Sequence, residues 1–423
     1  GRHSPPESGT HRREGVHCVA VAIRRSPDDF RVDEELVSSY ASALESSPSE
    51  DAPFAVCRLT KSGWTTPDAV DALTRELHLP PRSVTYAGLK DRHAATAQHI
   101  SLDHPPIGAV RSLARGVEGE GWRARTIGWS SRPLDASCIA SNTFEIVVRG
   151  LVKFEVELMR SRADDLADAN GALLFVNYFG DQRFGSARHG KGFAARPLIA
   201  GNPLGALRLA IGTPARKDSG MQRAFTRLCA AHWGNWKRLA AELPECPDRR
   251  PFERLATGSE PDAAFMALRP FLRGMCIEAY QSYLWNEGAR RMVRALPAQE
   301  WRTIEAADDF GPLLFPRPAE FPASWLTCEA PMLSPETEFA APWGDAWQEA
   351  ITAEGLTTAA LVVPGIAALR FGHALRPLLA RAAGLVVEPD VDDSTERGSR
   401  AVTVRFSLPR GAYATVVLRA LGQ

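Results

Sequence analysis

The 423-residue chain reads as a mixed α/β protein in which a sheet-containing unit is interrupted by a largely helical one. Three observations carry that reading. Short runs that alternate apolar and polar residues recur between Val16 and Arg149 and again after Leu385, which is the period of half-buried strands. Between about Leu173 and Ala359 the pattern changes to helical stretches punctuated by Pro and Gly. At 44% hydrophobic and 24% charged, a chain of this length buries a large core and divides into more than one domain. The expected division is a disordered tail at 1–15, a first sheet-containing segment at 16–172, a largely helical insertion at 173–359 and a second sheet-containing segment at 360–423.

Taken in order, Val16 to Arg24, Asp29 to Leu36 and Phe54 to Leu59 read as strands. Thr66 to Leu79 reads as a helix, with Thr65 or Thr66 as N-cap, Pro67 at its start and Asp68 in its first turn. Val84 to Ala87 resumes strand and leads into a loop around Asp91. Thr143 to Arg149 is rich in strand formers, and Phe154 to Asn170 is a helix that Gly171 ends. Pro270 to Leu296 is the longest helix, Gly311 to Gly344 is Pro-rich and irregular, and no repeat at solenoid spacing is evident. Strand pattern returns at Leu385 to Glu388, Ser399 to Leu408 and Tyr413 to Ala420.

Composition excludes several classes. No apolar run approaches the roughly 20 residues of a membrane-crossing helix, so no membrane role is expected. The seven cysteines are scattered and never in Cys-x-x-Cys spacing, which argues against a zinc site or a disulfide framework and for a reducing intracellular compartment, whether cytoplasm, nucleus or mitochondrion. The tail Gly1 to Gly15 has the composition of a tag remnant or a processed targeting segment, although Glu7 and Glu14 count against the latter. Net charge is zero, but its distribution is uneven. Gln182 to Lys217 carries seven basic residues and no acid, and Arg397 to the end carries five Arg and no acid. Glu300 to Glu354 carries eleven acids against two Arg, so one face is expected to meet phosphates and another to avoid them. By composition alone, solvated helix faces explain the same runs.

The segment Ala87 to Gln98, Ala-Gly-Leu-Lys-Asp-Arg-His-Ala-Ala-Thr-Ala-Gln, places one carboxylate between two cations just after a strand. Lysine is scarce here, with six in the whole chain, yet Lys90 adjoins Asp91. In isolation such a triplet is most often a solvated turn. Five further blocks stand collinear with it: Ser26 to Glu34, Asn142 to Phe144, Asn177 to Gly185, Gln281 to Asn286 and Phe406 to Thr415. Together these resemble the TruD-type pseudouridine synthases through most of the chain.

That resemblance implies a catalytic domain on a mixed, mostly antiparallel sheet, interrupted by a helical insertion, with an RNA-binding cleft between them. The implied reaction converts uridine to pseudouridine: the N1–C1′ bond breaks, the uracil turns, and C5 joins the same sugar carbon. Nothing is oxidised and no cofactor is called for. Asp91 would be the essential carboxylate, as nucleophile or as base. Phe30, Asn142 and Phe406 match substrate-contacting positions for a flipped base, and Phe144 would lie beside Asp91 as a platform. Read from the residues alone, each Phe is more readily core than a stacking platform, and Asn142 is a strand-start cap. Lys90 and Arg92, with Arg188 and Lys191, are expected at RNA phosphates. Asn177 to Gly185 is expected to be a junction between domains, its Gly and Asn suiting a tight turn. His93, His99 and His189 lack ligand spacing, and no metal is assigned. The RNA is expected to be transfer RNA, with ribosomal and messenger RNA as alternatives, and the protein a monomer unless it joins a ribonucleoprotein assembly. A catalytically idle RNA-binding or ribosome-assembly factor on the same fold is the alternative function. A metal-dependent nuclease lacks the clustered acids it would need.

Overall fold

The computed structural model describes residues 25–216, 218, 220–297, 303–306 and 310–423. The expected tail at 1–15, the strand Val16 to Arg24 and Lys217 lie outside the described residues.

Among the described residues, eleven strands form one sheet: β1 (Phe30–Leu36), β2 (Phe54–Lys61), β3 (Val84–Tyr86), β4 (Ala95–Asp103), β5 (Val117–Gly119), β6 (Trp122–Ser130), β7 (Ile139–Leu151), β8 (Leu173–Val176), β9 (Leu379–Val387), β10 (Val391–Asp392) and β11 (Arg400–Pro409). Their order is β5-β6-β2-β4-β1-β7-β11-β9-β8, with β3 added on β4 and β10 on β11. β1 runs parallel to β4 and the other pairs are antiparallel. The sheet is therefore mixed and mostly antiparallel, and its two halves come from opposite ends of the chain. β8 pairs with β9, so the sheet reaches past residue 172, beyond the expected start of the insertion.

Between β8 and β9 the described chain is mainly helical, with two short two-stranded ladders, 303–306 with 313–316 and 329–332 with 374–377. Four helices matter for the site: α1 (Thr66–Glu76), α2 (Lys153–Asp165), α3 (Pro270–Arg294) and α4 (Ala414–Ala420). Thr65 caps α1 by accepting the Asp68 N–H at 3.2 Å. α2 stops at Asp165, five residues before the expected end, and Gly171 sits instead in the left-handed turn that follows. α4 corrects the expected strand at Tyr413 to Ala420. Its seven residues bury Ala414, Val416, Val417, Leu418 and Ala420, so the apolar run lacks the alternation of a strand and the β-branched pair is packed on a helix.

Two main clusters make the core. One is continuous from the inner face of β1, β7 and β11 through β8 and β9 into the helical part. The other packs α1 and the helix Ile107–Arg115 against β2, β4 and β6. The opposite face of the central strands is polar: Arg31 and Arg405 both reach Glu145, at 3.8 and 2.8 Å, while Thr143 pairs with Ser407 at 2.6 Å.

Candidate active site

Register builds the site. Residues directly opposed on antiparallel strands share a face, so Val32, Phe144 and Phe406 form one row across β1, β7 and β11, and Glu34, Asn142 and Leu408 form the next. Phe144 stacks on Phe406 with centroids 5.4 Å apart and planes 25° apart, and meets Phe30 edge-on at 6.0 Å. Above the rows lies a pocket of about 250 Å³. Phe30, Val32, Asn142 and Phe144 give it a floor, Leu89 to Asp91 one wall, and Gln182 with Gly411 to Thr415 the other. This is just under the roughly 300 Å³ at which drug-sized pockets begin, a size for one nucleoside and not for a duplex.

Asp91 sits in the loop between β3 and β4, where one carboxylate oxygen accepts the His93 N–H at 3.0 Å. The loop is pinned from beneath by buried groups. Thr66 Oγ1 accepts the Lys90 N–H at 2.9 Å and donates to Gln98 Oε1 at 2.8 Å, tying the loop to the start of α1. Lys61, 3% exposed at the end of β2, points its ammonium into the loop and donates to the carbonyls of Trp64 (2.8 Å), Asp91 (3.0 Å) and Lys90 (3.4 Å). Burial pulls Lys61 down to about 8, with Asp91 acting in the opposite direction and Lys90 adding to the fall.

Lys90, expected at an RNA phosphate, is turned inward instead. Its ammonium lies 2.7 Å from Glu34 Oε2 and 2.6 Å from Asn142 Oδ1. Glu34 is itself buried, and its other oxygen accepts the His99 N–H at 2.9 Å. Burial pushes the Glu34 carboxyl up, but bonding from His99 and the adjacent Lys90 charge outweigh it and leave the group below the usual carboxylate range. Because Lys90 can only donate, it orients the Asn142 amide: the oxygen faces Lys90, and the NH₂ is the end left for an acceptor in the pocket.

Phe406 also departs from expectation. It is 1% exposed and lies under Phe144, outside the pocket lining, so it is core that braces the platform. Phe30 and Phe144 line the pocket. Arg92 is exposed, donates to the Gly63 carbonyl at 3.0 Å, and lines a larger hollow of about 1250 Å³ with Trp64 and Tyr86. Asp91 lines the smaller pocket and not that hollow, so the smaller pocket is the candidate reaction site. Arg188 and Lys191 are exposed, on the segment that follows Gln182. Others of the basic run are already paired: Arg183 with Glu278 at 2.8 Å, and Arg196 with the Glu354 carbonyl at 2.7 Å and its carboxylate at 3.8 Å. Glu354 belongs to the acidic stretch, so the two stretches meet at this point and are not confined to separate faces. The Asn177 to Gly185 block closes against the C-terminal wall. Gly180 is needed there for close approach, since a Cβ would come within 2.6 Å of Thr415 Oγ1.

Three residues at the site carried no assigned role in the sequence: Lys61, Glu34 and Tyr413. Tyr413 lines the pocket, and burial raises its hydroxyl, against the pull of Arg183 and Arg376. The scarcity of lysine was the available signal for Lys61, which ends β2. Among the described residues no group of His, Cys, Asp and Glu could hold a metal ion, and no helix is long and apolar enough to cross a membrane.

The family model for tRNA pseudouridine synthase D (TruD) matches residues 13–303 and 323–421. The chain belongs to the TruD family. It is thus an RNA pseudouridine synthase by family, an isomerase. Relatives include the tRNA pseudouridine synthase D of Aquifex aeolicus, 27% identical over 95% of this chain and 98% of that one. That of Leptospira interrogans is 24% identical, over 94% and 95%. A crystal structure of a candidate TruD protein from Methanosarcina mazei superposes with a TM-score of 0.65 at 22% identity, covering 94% of this chain and 92% of that one, which is likeness of fold. The mixed sheet with its helical interruption is therefore a TruD-type architecture.

Proposed function

We propose that this TruD-family chain isomerises a uridine in transfer RNA that leaves its stack and enters the Asp91 pocket, with Asp91 as the essential carboxylate. The substrate class follows the names of the relatives. One observation supports the rest: Asp91 and the oriented Asn142 amide line the same nucleoside-sized pocket, over an aromatic floor. In this reading Phe144 and Phe30 replace the stacking that the base gives up on flipping. The Asn142 NH₂ donates to a uracil carbonyl and sets the base against Asp91. The carboxylate acts on the nucleoside as N1–C1′ breaks and C5–C1′ forms; C5 loses a proton and N1 gains one, so composition is unchanged. Arg188, Lys191 and Arg92 contact phosphates around the pocket.

The test is single-turnover pseudouridine formation on a transcribed transfer RNA without added metal. Asp91→Asn should abolish formation while RNA affinity stays within about threefold, because one carboxylate among many polar contacts contributes little to holding the RNA. Substantial turnover by Asp91→Asn would overturn the proposal. Normal RNA binding with no turnover by the unaltered protein on any RNA would favour the idle binding factor.

A further inference from the structure

Arg376 is a cation buried beside the pocket, 9% exposed, and among the described residues it forms no ion pair with a carboxylate. Its partners are carbonyls and rings. Nε donates to the Asn177 carbonyl at 2.9 Å, and one terminal nitrogen to Asn177 Oδ1 at 2.8 Å and the Tyr178 carbonyl at 3.4 Å. The other terminal nitrogen donates to the Gly411 carbonyl at 2.9 Å. The guanidinium lies 4.0 Å from the Phe179 ring centroid, 5.3 Å from that of Trp285 and 5.8 Å from that of Tyr413.

One rigid fork thus joins two segments more than two hundred residues apart in sequence. The first, Asn177 to Phe179, is where the chain leaves β8 for the helical part, and it is held from the other side by Asn286 of α3, which bonds both the N–H and the carbonyl of Phe179 at 2.8 and 3.0 Å. The second, Gly411 to Thr415, is the pocket's C-terminal wall. Burial pulls the guanidinium down to about 10, so it stays charged at neutral pH, at a desolvation cost. Packing alone would be served at least as well by an apolar residue. What the guanidinium adds is a fixed separation between the two segments, in a planar geometry that a lysine cannot reproduce.

We infer that Arg376 is a positioning residue for the uridine pocket: it holds Gly411 to Tyr413 against the Asn177 turn, so that an entering base meets a wall already in place. This rests on the reading of the Asp91 pocket as the uridine site.

The experiment compares Arg376→Lys, Arg376→Ala, Asn177→Ala and Asp91→Asn in single-turnover pseudouridine formation on transcribed transfer RNA, with RNA affinity and thermal melting measured alongside. A wall displaced by about 1 Å costs on the order of 100-fold in rate. Arg376→Lys should lose about that factor, with RNA affinity within about threefold, and Asn177→Ala, which removes one acceptor, should lose less. Millimolar guanidinium should restore part of the Arg376→Ala rate, and methylammonium should not. Where Arg376→Lys lowers the folded fraction, Asn177→Ala decides, and a rate within twofold of the unaltered protein overturns the inference. So does a near-normal rate for Arg376→Lys beside a dead Asp91→Asn. Undiminished turnover by Asp91→Asn would instead overturn the reading of the pocket.

Discussion

Lys61→Met separates the stability of the Asp91 loop from the stability of the fold. The ammonium is buried, and its donors go to three loop carbonyls, at 2.8, 3.0 and 3.4 Å. Its depression from 10.5 to about 8 corresponds to about 3 kcal/mol against the charged form in the folded protein. The folded state therefore binds fewer protons than the unfolded state between about pH 8 and 10.5, and the Lys61 contribution to stability improves as pH rises through that window. Methionine fills a similar volume and removes the desolvation cost, but it leaves carbonyls unpaired at about 1 to 3 kcal/mol each. Where water takes over those three carbonyls the two effects nearly cancel, and the melting temperature should change little. The loop, however, can hydrate its carbonyls only by moving, and Asp91 moves with it; a shift of about 1 Å costs on the order of 100-fold in rate. The assay is single-turnover formation at saturating RNA from pH 6.5 to 9.5, with melting curves at each pH. The unaltered protein should lose rate above about pH 8 as Lys61 deprotonates between Asp91 and Lys90, and Lys61→Met should lack that limb. A rate for Lys61→Met within threefold of normal, with the alkaline limb retained, would refute the reasoning.

The two rings of the aromatic row should part company. Phe406→Ala should cost about 3 to 5 kcal/mol of stability, read by denaturant unfolding, while the folded fraction keeps most of its rate. Phe144→Ala should lose rate more than stability, because its ring faces the pocket. Glu34→Gln leaves Lys90 buried without its carboxylate and should destabilise by about 3 to 5 kcal/mol at neutral pH. Since the Glu34 carboxyl is lowered in the fold, its contribution is present above the ordinary value of 4.5 and lost as pH falls through the lower folded value, so unfolding curves of variant and parent should converge in acid. Replacing Arg188 and Lys191 by Gln should flatten the dependence of log affinity on log salt by about 1 for each phosphate no longer neutralised, and an unchanged slope would place the RNA elsewhere.

The strands at both ends and the Asp91 loop were legible because each is written in local pattern: alternation for β1 and β11, and a lone carboxylate beside a scarce lysine for the loop. What local pattern cannot contain is register across long separations. Which of Phe144 and Phe406 faces the pocket depends on β7 lying between β1 and β11, and on the pocket walls standing over β1 and β7 and not over β11. A Phe in a strand carries no mark of that. Nor did anything local show that Lys90 turns to Glu34 and not to solvent.

The buried cations make the same point from the side of energy. Lys61, Lys90 and Arg376 look in sequence like the solvent-facing or phosphate-facing charges that most basic residues are. In the fold each is desolvated or inward-turned, and each holds backbone or side-chain oxygens that border the pocket. Exposed pairs contribute little to stability, whereas a buried cation deprived of its acceptors costs several kcal/mol. These three cations therefore stand around one small cavity, where they hold the Asp91 loop, the Asn142 amide and the Gly411 wall. In the proposed reading, the exposed charges of Arg188 and Lys191 remain for long-range attraction of the RNA. Attraction and positioning are thus assigned to different basic residues, and salt should weaken the first while leaving the second almost untouched.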